Sequence, residues 1–389
     1  MESNSLAVIS IGYGQRMFDA KDPDRLRMEA CAKETKTYNM VVLCRPKLGL
    51  HTITGQNGLV INPITTRFLP WKFCRAVMAV RALIKTAKGP VVVTSQDSFE
   101  TGLIGWVATR GTNAKLNVQE HGDVFGTTLW KDEKMSNFFR FYLGLFILRT
   151  ADTVRVVSDR IADTLETKGV KRTNIQKLSV MTDAAPFAAS QPDPAVRQYF
   201  APNTFIFLSV ARFVPQKNLS LMLRAFIQAY QQNNRLRLLL VGDGPDAALV
   251  TEIIASSHIN QSETIVQILP WTNNVPSFMA SVDAYLLTSN YEGWGRVLIE
   301  AQYAKLPIVT TDVGCVGEVV FDQVDGAVVP VNDQAALTTA LVAISSNTAA
   351  YTTLKQNLQA HTLPASVSYQ QYAKQWISVL EHTFDTDNT

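Results

Sequence analysis

The stretch "EGWGRVLIE" sets two carboxylates, Glu292 and Glu300, eight positions apart around Gly293, Trp294 and Gly295, directly after the strand-like run "DAYLLTSNY". An ionised carboxylate is an acceptor-only group whose two oxygens suit a vicinal diol. Two of them could hold two sugar rings of one ligand, a ribose and a hexose. The glycines would let the backbone turn tightly or approach that ligand, and Arg296 follows them as a binding cation. A capping acid followed by a solvated helix glutamate is the alternative reading. Upstream, "VARFVPQKN" places Arg212 and Lys217 in a loop that leaves a strand and opens a helix. Two cations with backbone donors there would clamp a diphosphate, unless the loop is simply basic and solvated. "VGDGPDAAL" has the outline of a dinucleotide fingerprint but lacks the third glycine, and no acid ends the next strand. A tight strand-to-helix turn at Gly242, near a nucleotide, accounts for it. His121, in "QEHGD", follows the run "KLNVQ"; a lone histidine is usually structural, but its place after a strand points to a site.

Other chemistries find little support. A two-carboxylate hydrolase needs its acids to flank the scissile bond, which is not the work of two groups gripping hydroxyls. A metal-dependent transferase needs an acidic pair after a strand, and the D-x-D strings are "DPD" at 22–24, in a helix start, and "DTD" at 385–387, in the tail. Both read as surface acids, and no metal site is expected. No G-x-S-x-G, H-E-x-x-H or P-loop string occurs.

The elements that must position these residues follow a regular rhythm. Short β-branched runs alternate with helix-period segments, the mark of parallel βα units. "LAVISI", "NMVVLC", "PVVVTS", "KLNVQ", "TVRVVS" and "NIQKLSV" come first, and "FIFLSV", "LRLLLV", "TIVQIL", "DAYLLT", "PIVTT" and "GAVVP" restart the series. The proline-bearing segment 183–205 lies between them as a linker. At 389 residues the chain suits two domains: α/β, two Rossmann-like doubly wound domains, 1–185 and 186–365. A C-terminal helix over 366–389 is expected to pack back on the first. "FFRFYLGLFIL" at 138–148, which includes Arg140, reads as a core helix, with contact to a membrane surface as the alternative.

With 47% hydrophobic and 18% charged residues the chain is globular. Its net charge of +3 is dispersed, which speaks against nucleic acid and is compatible with phosphate-bearing small molecules or an anionic membrane face. Cys31, Cys44, Cys74 and Cys315 form no C-x-x-C pair and read as reduced thiols. No basic n-region precedes the first apolar run and no window reaches about 18 apolar residues. A cytoplasmic protein, peripheral at most on the inner face of a membrane, is the expectation. The basic residues of 65–89, which include Arg67, Lys72, Arg75, Arg81, Lys85 and Lys88 around an apolar stripe, would form the surface that leans on anionic lipid. A solvated basic face over a core stripe is the alternative.

"LSVARFVPQKNLSLMLRAF", "LLLVGDGPD", "EGWGRVLIEAQYAKLPIVTTDVGCVGEVV", "NVQEHGD" and "ADTVRVVS" together resemble the retaining glycosyltransferases of family four, with the architecture called GT-B, in which two Rossmann-like domains face each other across a cleft. The resemblance implies a nucleoside-diphosphate sugar as donor, a UDP- or GDP-sugar, with no separate cofactor. It implies a glycan or lipid-linked acceptor bound by the first domain, in cell-surface polysaccharide or glycolipid synthesis. It also implies roles: Glu292 on the donor hexose, Glu300 on the ribose, Arg212 and Lys217 on the diphosphate, and His121 beside the reacting carbon. Gly12 and Gly14 in "SIGYGQ" match a small-residue loop facing the phosphates and the acceptor. Two departures stand out: Lys305 replaces a usual glycine, which predicts a reshaped helix end, and Cys315 follows Gly314 where a second glycine is usual, which predicts a narrower backbone approach. A sugar-nucleotide epimerase of the same two-domain shape and a non-catalytic carbohydrate-binding relative remain as alternatives.

Overall fold

The computed structural model describes residues 5–46, 49–183, 185–257, 264–360 and 367–384. The chain divides into two compact units, Met1–Met181 with Val367–Thr389, and Thr182–Ser366.

The first unit runs β1 (Ala7–Tyr13), α1 (Pro23–Lys33), β2 (Thr37–Leu43), β3 (Ile53–Thr54), β4 (Leu59–Ile64), α2 (Leu69–Thr86), β5 (Val91–Ser95), α3 (Glu100–Thr109), β6 (Lys115–Glu120), α4 (Leu129–Glu133), α5 (Met135–Thr150), β7 (Thr153–Val156), α6 (Asp159–Thr167) and β8 (Ile175–Lys177). Its sheet has the order β3-β4-β2-β1-β5-β6-β7-β8, parallel but for the short β3–β4 pair. Every residue of β1 but Tyr13 is buried, as expected of a strand covered on both faces. β4 was not evident in the sequence because Pro63 interrupts it. β3 pairs only with Val60 and Ile61, so the missing N–H of Pro63 falls where no neighbour needs it. Asp22 caps α1 by accepting from the Asp24 amide, with Pro23 in the first turn, which gives "DPD" a structural role; "DTD" lies outside the described residues.

α5 departs from the expected core helix. Phe141, Gly144, Leu145, Ile147 and Leu148 are buried, but Phe138, Phe139, Tyr142 and Phe146 on its other side are exposed. A helix that is apolar all round gives no sign of which face lacks a partner.

The second unit opens with α7 (Ala185–Ala188) and α8 (Pro194–Gln198). It continues through β9 (Phe205–Val210), α9 (Leu219–Gln232), β10 (Leu236–Val241), α10 (Ala247–Ser256), β11 (Val266–Leu269), α11 (Val275–Ser281), β12 (Ala284–Leu287), α12 (Arg296–Tyr303), β13 (Ile308–Thr311), β14 (Gly326–Val329), α13 (Gln334–Ser346) and α14 (Thr348–Ala360). Its parallel sheet is ordered β11-β10-β9-β12-β13-β14, with Phe207, Leu238, Leu240 and Leu286 packed against Leu223 and Phe226 of α9. The helix end at Lys305 is not reshaped. Lys305 itself takes the left-handed conformation, φ 56, while Leu306 N donates to Ala301 O at 3.0 Å, as in a glycine-ended helix. Lys305 Nζ donates to the Leu358 carbonyl at 2.7 Å, a contact that offsets the backbone strain.

α15 (Tyr369–Glu381) belongs to the first unit, where Tyr372, Trp376, Ile377 and Leu380 join the core formed by Tyr38, Met40 and Leu59. Ser368 and Gln371 close a capping box at its start, which satisfies amides that would otherwise lack partners.

Candidate active site

The second sheet is built outward from β9: the chain passes to β10 and β11, then returns to the other side of β9 at β12. The loops leaving β9 and β12 therefore part company at their carboxyl ends, the crevice where open α/β sheets take ligands. Those two loops carry Arg212 and Lys217 on one side and Glu292 on the other.

A set of hydrogen bonds ties the loops together. Asn290 N donates to Gln216 O at 2.8 Å, Gln216 Nε2 to Tyr291 O at 2.9 Å, and Asn290 Nδ2 to Pro215 O at 3.1 Å. Asn218 Nδ2 donates to Asn290 Oδ1 at 2.8 Å, and Thr288 Oγ1 to Lys217 O at 3.0 Å. Asn218, in the left-handed region at φ 47, also caps α9 through the Leu221 amide, so one residue turns the loop and starts the helix. Within this frame Lys217 Nζ forms an ion pair with Glu292 Oε1, which accepts from Ser289 Oγ at 2.7 Å as well. Glu292 is only 8% exposed. The ammonium keeps two further donors, and Glu292 Oε2 makes no hydrogen bond among the described residues. Arg212 is exposed.

Gly295 starts α12 at φ 78 with no side-chain cap, leaving first-turn amides available to an anion. Glu300, one turn further, is half-buried; burial raises its carboxyl pKa, while Arg296, 4.0 Å away, lowers it. Gly293 is buried beside Glu292. Gly314 lies at φ +61, and a Cβ there would fall 2.7 Å from Trp294 O and 3.0 Å from Glu292 Cβ. Cys315 is fully buried and donates its amide to Trp294 O at 2.9 Å, so its thiol lies in the interior and leaves the open face of the loop clear. Gly242 acts on the neighbouring loop: a Cβ on it would meet Ala211 O at 1.9 Å. Gly244 does the same at Phe213 O, 2.3 Å, and was passed over in the sequence although the "GDG" spacing carried the signal. Together the two glycines set the path of the segment that bears Arg212.

The remaining candidates lie in the first unit. The order in which its strands are added reverses between β1 and β5, which run parallel, and Gly12 and Gly14 sit at the end of β1. A Cβ on Gly12 would come within 2.5 Å of Gln96 Oε1, the atom that accepts the Tyr13 amide at 2.9 Å. Gly14 takes φ 123. His121 follows β6, with its residue exposed. Burial by surrounding protein, then the Arg155 and Arg27 charges, lower its pKa; contact with water weakens the first effect, and the direction leaves the imidazole neutral at pH 7. Beneath it Glu120 accepts from Ser98 Oγ at 2.8 Å and from the Gly122 amide at 3.3 Å, with burial pushing its carboxyl up to about 8. Glu120 was not singled out from the sequence, where an acid beside His121 gives no hint of burial.

Two family models match in tandem: "Glycosyl transferase 4-like domain" over residues 32–179 and "Glycosyl transferases group 1" over 195–361. The N-acetyl-alpha-D-glucosaminyl L-malate synthase of Bacillus anthracis is 26% identical over 54% of this chain and 53% of its own. The UDP-Gal:alpha-D-GlcNAc-diphosphoundecaprenol alpha-1,3-galactosyltransferase of Escherichia coli is 25% identical over 71% of each. The chain thus spans between about half and seven tenths of the length of these relatives. Among solved structures, the sucrose-phosphate synthase of Thermosynechococcus elongatus aligns with TM-score 0.72 at 18% identity, over 97% of this chain and 99% of that one. Anabaena HepE in complex with UDP and glucose aligns with TM-score 0.70 at 16% identity, over 96% and 99%. With both family models matched in order and both sheets doubly wound, the chain belongs to the family-four glycosyltransferases of GT-B architecture.

Proposed function

We propose that the protein transfers a glycosyl group from a nucleoside-diphosphate sugar to a hydroxyl of a glycan or lipid-linked acceptor, with retention of anomeric configuration and without a metal ion. The observation that carries this reading is the Lys217–Glu292 pair at the β9/β12 crevice. It sets a cation and a carboxylate side by side, the two groups that the phosphate and hydroxyls of a sugar diphosphate would need. Glu292 would hold the hexose and Glu300 the ribose. Lys217, Arg212 and the α12 amides would face the diphosphate. As the anomeric C–O bond breaks, the electron pair leaves with the diphosphate, and preorganised positive charge there lowers the barrier. The acceptor oxygen bonds to the anomeric carbon on the face the diphosphate leaves, and its proton passes to the departing phosphate oxygen. The UDP held by HepE and the UDP-sugar donor named for the Escherichia coli relative support a uridine donor ahead of a guanosine one. Incubation with a panel of nucleotide sugars and simple glycan acceptors is expected to release free nucleoside diphosphate and yield a product of retained configuration by proton NMR, unchanged in excess EDTA. An altered nucleotide sugar would indicate an epimerase, and loss in EDTA restored by magnesium or manganese would overturn the assignment of the phosphate charge to Arg212 and Lys217.

The first unit supports contact with an anionic membrane surface. α2 has no acidic residue, and its exposed side carries Trp71, Met78, Arg75 and Lys85, an apolar and basic mixture suited to the interface of a bilayer. Arg81, on the same side, is engaged with the Val107 and Arg110 carbonyls at 3.0 and 3.3 Å. No helix among the described residues is long and apolar enough to cross a membrane. Flotation is expected to carry the protein with liposomes containing anionic lipid and not with neutral ones. Equal non-binding to both would remove the membrane from the account.

A further inference from the structure

A pocket of about 1000 Å³ opens in the first unit beside the β1 turn, between α2, α3 and α5. Its walls combine two chemistries. Leu69, Phe73 and Ile104 give it an apolar side, while Arg45, Lys72 and Arg140 bring three cations against the single carboxylate of Glu100. Arg140 is committed to that carboxylate, Nη2 to Oε2 at 2.6 Å, and Tyr13 Oη donates to the same oxygen at 3.3 Å. Arg140 Nε is nonetheless buried without a hydrogen-bond partner among the described residues. Lys72 Nζ makes a single contact there, to the Cys44 carbonyl at 3.0 Å, and Arg45 is exposed with no ion pair among the described residues. One carboxylate neutralises one cation, so the pocket keeps an excess of two positive charges next to its apolar wall. Glycan hydroxyls alone would require neither feature.

We propose that this pocket takes the acceptor and selects one with a phosphate or diphosphate ester joined to an apolar chain, with Arg45 and Lys72 as the specificity-determining cations. The inference rests on the glycosyltransferase reading above and adds the acceptor's chemical class. Guanidinium and ammonium donors hold phosphate oxygens by charge-assisted hydrogen bonds, and the chain would lie along Leu69 and Phe73. Leu69 is 74% exposed, so the apolar wall continues to the protein surface and leaves an exit for a tail longer than the pocket. Glu100 and Tyr13, at the end nearest Gly14, offer an acceptor and a hydroxyl to the sugar that follows the phosphate.

The test is calorimetric titration of the full chain, saturated with nucleoside diphosphate so that the donor site is filled, with farnesyl diphosphate, farnesol and inorganic diphosphate as probes. Farnesyl diphosphate is expected to bind at least tenfold more tightly than either of the others. Arg45→Gln with Lys72→Gln is expected to weaken it by at least tenfold, while titration of that variant with nucleoside diphosphate alone stays as in the wild type. Farnesol binding as well as farnesyl diphosphate, or unchanged binding in the double variant, would overturn the role of the cations. Inorganic diphosphate binding as tightly as farnesyl diphosphate would overturn that of the apolar wall. Failure of the wild type to bind any nucleoside diphosphate would instead count against the donor-site reading, and the farnesyl diphosphate titration would still decide the pocket.

Discussion

Glu292→Gln is expected to lower turnover at saturating donor by about 10²-fold or more. The substitution keeps the shape and the Ser289 hydrogen bond but removes the charge that draws Lys217 Nζ to Oε1. Two consequences follow for the transition state. On the proposed placement the neutral amide would grip the hexose hydroxyls less firmly as the ring flattens, and Lys217 would lose the partner that aims it. Both interactions gain importance as charge separates, so the loss belongs in kcat more than in binding. Stopped assays across donor concentrations separate the two parameters, and a variant with normal kcat and raised KM would place Glu292 in ground-state binding only.

Trp376→Ala is expected to destabilise the protein by about 3–5 kcal/mol. Trp376 is 3% exposed and lies with its ring centroid 5.6 Å from that of Tyr38, on a helix that also supplies the Tyr372 hydroxyl to Arg155 Nη2 at 2.9 Å. Removing the indole leaves a cavity between α15 and the first sheet, where Tyr38 and Leu59 are fixed by strand pairing and cannot close the gap. Gln375→Ala, on the exposed side of the same helix, serves as the control and should stay within about 0.5 kcal/mol of wild type. Urea unfolding of the three proteins measures this; a Trp376→Ala change no larger than the control's would mean that α15 contributes little to the first unit.

Much of the fold can be read in the chain because parallel strands covered on both faces are largely apolar along their whole length. "FIFLSV" and "LRLLLV" coincide with β9 and β10. β4 escaped because Pro63 breaks the pattern and only an edge position tolerates it. The exposed aromatic side of α5 escaped because composition does not tell a helix which face will lack a neighbour. At the site, residue types and local spacing pointed to Lys217 and Glu292 separately. That they meet was not legible, since 75 positions separate them and their contact depends on β12 returning to the side of β9. The same holds for Asn218 and Asn290, two ordinary loop asparagines until strand order sets them 2.8 Å apart. Gly242 was visible as a turn residue, but its reason, the approach of the Ala211 carbonyl, is a contact between loops that no single stretch of sequence contains.

Calorimetric titration with the nucleoside diphosphate separates the two carboxylates, since that ligand carries the ribose proposed for Glu300 and lacks the hexose proposed for Glu292. Glu300→Gln keeps the side chain's shape and removes the charge that would strengthen bonds to the ribose hydroxyls, so affinity is expected to fall by about 1.5–3 kcal/mol, roughly 10- to 150-fold. Glu292→Gln should change it far less, because the free diphosphate has no hexose for that residue to hold, and Lys217, though it loses the partner that aims it, keeps its charge for the phosphates. Equal weakening by the two substitutions would contradict the assignment.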